Sequence, residues 1–125
     1  MRLNLSLSLI PTAILASGLS RAAFAHAEMI NAVPRVGSTV TAAPTEIAIN
    51  YTQGVKPEFS TIEVQDASGT RVDTGDVRIA ADNDKRMTVG LKPLKAGTYK
   101  VIWHATSTTT HKTQGSYSFA VSQAQ

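Results

Sequence analysis

The stretch GTYKVIWHAT, residues 97–106, alternates its large apolar side chains with a period of two. Successive strand residues point to opposite faces, so Tyr99, Val101 and Trp103 share one face and Lys100, Ile102 and His104 the other. The same period recurs along the chain. TEIAINYT (45–52) groups Ile47, Ile49 and Tyr51, and FSTIEVQD (59–66) groups Ile62 and Val64. VRIA (77–80) and KRMTVGL (85–91) are shorter cases, and GSYSFAV (115–121) groups Tyr117, Phe119 and Val121. Turn formers separate these runs: Ala43-Pro44, Lys56-Pro57, Asp66-Ala67-Ser68-Gly69, Asp82-Asn83-Asp84 and Lys95-Ala96-Gly97. Short strands with closely spaced turns predict an all-β sandwich or barrel. Trp103 is expected as a core anchor. The polar run TSTTTHKT (106–113) is expected as the loop before the last strand.

Residues 1–25 read differently. Arg2 supplies a positive start, LSLSLIPTAILASGL an apolar core, and Ala23-Phe24-Ala25 a small-x-small cleavage pattern. A membrane-spanning helix needs about 20 apolar residues, and this run is short and interrupted by Pro11 and several serines. We therefore expect a secretory signal peptide cut after Ala25 and one exported, soluble, monomeric domain over 26–125. The chain carries 12 basic and 9 acidic residues, and Arg2 and Arg21 fall in the leader. The domain is then close to neutral, which argues against nucleic acid as a partner. The absence of cysteine rules out disulfides, thiolate metal sites and thiol nucleophiles.

The histidines are His26, His104 and His111. No zinc-protease helix motif, glycine-rich phosphate loop or serine nucleophile elbow accompanies them. A cut after Ala25 would make His26 the first residue, with a free amine beside its imidazole. An α-amine has a reference pKa of about 7.7–8.0, so it can give up its proton to a metal near neutrality. Nitrogens with added oxygens in a square suit Cu(II), whereas zinc prefers a tetrahedron. The bland alternative stays open: a peptidase leaves whatever residue follows its site. His111 by itself reads as a surface histidine of a polar loop. His104 follows Trp103 and should point away from the core.

Two blocks carry a family likeness. HAEMINAVPRVGSTVTAAPTEIAINYT places Pro34, Gly37, Ala43 and Pro44, and LKAGTYKVIWHATSTTTHKTQGSYSFAV spans residues 94–121. Together they make the chain resemble the CopC/PcoC family of periplasmic copper-resistance proteins. The resemblance implies an immunoglobulin-like Greek-key β-sandwich of about seven strands. It implies a periplasmic, non-enzymatic carrier of one Cu(II) per chain, and an inner-membrane transporter of the CopD type as a delivery partner. It assigns the metal to His26, with its amine, and to His111. The family's aspartate two residues before the loop histidine is Thr109 here, and the glutamate some members add is Gln53. The methionine-rich loop of some members is absent, leaving Met29 and Met87 in the domain. Copper binding through His26 and His111 with lowered affinity is expected, with His104 or Glu28 as candidate compensating ligands. Two other readings remain. The fold could be a metal-free interaction module that has lost the site. A histidine brace also resembles the copper site of lytic polysaccharide monooxygenases, but those are larger and present a flat aromatic surface.

Overall fold

The computed structural model describes residues 26–123. The expected leader and its cleavage point after Ala25 lie outside the described residues. The chain forms two four-stranded sheets packed face to face, and the expected all-β sandwich is the observed fold. The strands are β1 (Met29–Val33), β2 (Thr39–Val40), β3 (Glu46–Tyr51), β4 (Thr61–Gln65), β5 (Arg78–Ala80), β6 (Asn83–Gly90), β7 (Gly97–Thr106) and β8 (Lys112–Val121). One sheet has the order β1-β3-β6-β5 and the other β2-β8-β7-β4. The chain changes sheet after β1, β2, β3, β4 and β6, so the layers are stitched together in Greek-key fashion.

The period-two pattern places the core where it was expected. Ile47, Ile49 and Tyr51 of β3 and Met87 and Val89 of β6 face Ile62, Val64, Tyr99, Val101, Trp103, Tyr117, Phe119 and Val121 of the other sheet, and all are buried. Tyr51 meets Trp103 edge to face, with ring centroids 5.3 Å apart. Trp103 lies opposite Gly115 in the β7–β8 register. A Cβ at Gly115 would come within 2.6 Å of Trp103 Cζ2, so the indole can lie flat across β8 only above a glycine. Met87 is buried and Met29 packs against the same core, which gives both methionines a packing role.

Three boundaries differ from the sequence expectation. The turn expected at Asp82-Asn83-Asp84 is tighter, because Ala80 pairs with Asn83 and β6 already begins there. The loop expected over 106–113 shrinks to 107–111, because Thr106 pairs with Lys112. Polar side chains do not prevent backbone pairing; Thr106 is also held from outside, its N–H donating to Ser60 Oγ at 3.0 Å. The eighth strand, β2, is a two-residue parallel addition to β8 and too short to show any periodicity. In β1, the register shift between Met29 and Asn31 marks a bulge that leaves Ile30 unpaired and 62% exposed.

Candidate metal centre

One end of the sandwich collects the N-terminal segment, the segment after β3 and the β7–β8 loop. Residues 26–28 are tied down before β1 begins. Thr52, just past β3, donates its hydroxyl to the His26 carbonyl at 3.3 Å and accepts the Glu28 N–H at 3.0 Å. Its own N–H donates to the Glu28 carbonyl at 2.9 Å. From the opposite sheet, Thr113 donates its hydroxyl to the Ala27 carbonyl at 2.6 Å. Ala27 is fully buried between these anchors, so its methyl joins the core while His26 stays half-buried beside it.

His111 ends the five-residue loop 107–111. The Ser107 N–H donates to the His111 carbonyl at 2.9 Å, and the Thr110 N–H to the Ser107 carbonyl at 2.8 Å. The His111 N–H donates to Ser107 Oγ at 3.2 Å. This tight closure places Thr110 in the left-handed region, φ 69°, a conformation that costs a non-glycine residue about 1–3 kcal/mol. A neighbouring segment braces the loop: the Thr108 N–H donates to the Gly54 carbonyl at 2.9 Å. Gly54 must lack a side chain, since a Cβ there would lie 2.5 Å from Asp84 Oδ2 and 3.0 Å from Thr108 Cγ2.

These anchors bring His26 and His111 together, their ring centroids 4.9 Å apart and their planes at 77°. Imidazoles sharing one ion at metal–nitrogen distances of about 2 Å have centroids roughly 4–6 Å apart, and the pair fits that span. His111 is exposed, so an ion has access from solvent. Thr109 Oγ1 stands 3.2 Å from His111 Nδ1 and 2.9 Å from Ser107 Oγ. His104 is elsewhere, on the outer face of the β7 sheet, with Nδ1 3.4 Å from Thr61 Oγ1. Glu28 is exposed, and among the described residues no cluster of three or more histidine, cysteine or carboxylate side chains could hold a metal. Among the described residues the pair thus offers two imidazoles with no carboxylate grouped beside them. The anchoring threonines, Thr52 and Thr113, carried no sequence signal: a threonine beside a strand end is ordinary, and its partners lie far off in the chain.

Comparison with known proteins agrees with this architecture. The family described as the CopC domain matches residues 29–122. Protein YobA of Escherichia coli K12 is 35% identical over 99 residues, covering 78% of this chain and 80% of that protein. The crystal structure of CopC from Methylosinus trichosporium OB3b superposes with a TM-score of 0.74 at 28% identity, covering 78% of this chain and 95% of that one. The structure of PcoC, a methionine-rich copper resistance protein from Escherichia coli, superposes with a TM-score of 0.69 at 35% identity, covering 78% of this chain and 99% of that one.

Proposed function

This chain belongs to the CopC family, and on that premise we propose that it is an exported, non-enzymatic protein that binds one Cu(II) through His26 and His111 and sequesters or carries it. The observation that carries the reading is the pair of imidazoles 4.9 Å apart, supplied by two segments that are each hydrogen-bonded into place. Cleavage after Ala25 would add the α-amine of His26 as a third nitrogen, and water or a hydroxyl oxygen would complete a square suited to Cu(II). Among the described residues no helix is long and apolar enough to cross a membrane. A CopD-type transporter is the partner the family resemblance suggests.

An oxidative enzyme of the histidine-brace type is disfavoured by the surface. Tyr51, Tyr99, Trp103, Tyr117 and Phe119 are buried, and Phe59 is the exposed aromatic among the described residues. That leaves no flat aromatic platform for a polysaccharide chain. Thr109 and Gln53, both neutral, favour a second reading in which the scaffold persists as an interaction module without metal.

The test is a Cu(II) titration of the exported protein, after its mass has located the N-terminus, followed by EPR and Trp103 fluorescence. One tightly held Cu(II) with an axial signal, weakened in His111→Ala and lost in a chain starting at Ala27, is expected. Binding no stronger than that of a free histidine-led peptide selects the interaction module instead.

A further inference from the structure

We propose that Thr109 is a positioning residue that holds the His111 ring by Nδ1 and reserves Nε2 for the metal. The inference rests on the copper reading above and gives position 109 a role different from that of a ligand. A neutral imidazole has one nitrogen that carries hydrogen and one that carries a lone pair, and the hydrogen bond at one nitrogen decides what the other can bind. In this chain the Nδ1 edge faces Thr109 Oγ1 at 3.2 Å. Thr109 Oγ1 in turn lies 2.9 Å from Ser107 Oγ, which accepts the backbone N–H of His111 at 3.2 Å. The three residues close a ring of contacts in which both the backbone and the side chain of His111 are held from the same side.

With metal on Nε2, Nδ1 must carry the hydrogen. The bond at the ring then has one direction: Nδ1–H donates to Thr109 Oγ1, which also lies within hydrogen-bond distance of Ser107 Oγ. Turning the ring over would present a carbon to Thr109 and forfeit the bond, so the hydroxyl fixes ring rotation and keeps Nε2 turned away from Thr109. Ser107 is fully buried, and the Ser107–His111 backbone bond pins the loop ends, so Thr109 is offered from a rigid base. Threonine cannot neutralise a dication as a carboxylate would. It orients the nitrogen donor without adding charge.

The test begins with the metal-free protein. Long-range proton–nitrogen correlation should find hydrogen on Nδ1 of His111 in the native protein and in Thr109→Ser. In the isosteric Thr109→Val that preference should be lost. Cu(II) affinity should fall about tenfold in Thr109→Val, the usual scale for removing a partner of a ligating histidine, and recover in Thr109→Ser. Hydrogen on Nε2 in the native protein, or native tautomer and affinity in Thr109→Val, would overturn the proposal. His111→Ala, titrated alongside, separates the two ideas. Unchanged affinity there refutes the copper site and with it the purpose of the Thr109 bond. Loss in His111→Ala with none in Thr109→Val refutes the Thr109 role alone.

Discussion

Replacing Thr113 by valine keeps the side-chain shape and removes one hydroxyl, the donor that reaches the Ala27 carbonyl at 2.6 Å. That bond links the N-terminal segment to the β7–β8 sheet, whereas Thr52 ties the same segment to the β3 side. Ala27 is fully buried, so its carbonyl loses a partner in a place where water reaches poorly. A net hydrogen bond is worth about 0.5–1.5 kcal/mol, and a stranded buried acceptor costs about 1–3 kcal/mol. Urea denaturation should therefore show a loss of about 1–2 kcal/mol. The effect on metal binding follows from the same contact. Without that hydroxyl the segment loses its hydrogen bond to the β8 side, and closing the 4.9 Å approach to His111 carries a larger cost of ordering the segment. A cost of about 1 kcal/mol lowers affinity roughly fivefold. The assay is a competition titration with Cu(II), read by Trp103 fluorescence, on protein shown to be folded at the working temperature. A drop in stability with unchanged copper affinity would refute the reasoning, because it would mean that the tether serves the fold and not the placement of His26.

Other expectations follow from contacts elsewhere. Gly115→Ala drives a methyl against the Trp103 ring, which has Tyr51 behind it, and should destabilise by about 1–3 kcal/mol, at about 4–8 °C in Tm per kcal/mol for a domain of this size; thermal unfolding followed by Trp103 emission measures it. Asp73 is buried, which opposes its ionisation, but bonds from Arg71 and from the Val64 N–H, together with the Arg71 charge, outweigh burial and hold the carboxyl below the ordinary value of 3.8. A carboxyl depressed by folding stabilises the protein above its unfolded pKa, and that contribution is lost as pH falls through the lower folded value. Stability against urea should thus decline below about pH 4, and Asp73→Asn should flatten that decline while lowering stability at neutral pH. His104→Ala should leave copper affinity unchanged, because His104 lies beside Thr61 on the outer face of its sheet; a lower affinity in the same competition titration would make it a ligand.

Most of the fold was legible because half-buried strands write their burial into the sequence. Each apolar residue of 97–106 and 115–121 that alternation placed on the core face is buried. Where pairing depends on backbone alone, the signal vanished. The polar ends of β7 and β8 extend the ladder past the apolar residues, and β2 is a two-residue bridge. Ile30 was illegible for the same reason: a bulge, not hydrophobicity, decided its exposure.

The sequence by itself determined the period of the strands, the turn-forming segments between most of them and the nitrogen chemistry available at His26, His104 and His111. Its residue pattern could not rank those histidines by proximity, which is a property of strand order and loop closure; only the family resemblance singled out His26 and His111. The tertiary structure decided that His26 and His111 meet while His104 lies on an outer sheet face. It also gave four ordinary threonines and serines their meaning. Thr52 and Thr113 anchor the N-terminal segment through carbonyls and an N–H far away in the chain, and Ser107 and Thr109 hold the loop histidine once the β7–β8 loop closes. Short polar side chains have no periodicity to read. Their role is set entirely by which carbonyl or ring nitrogen the fold delivers to them.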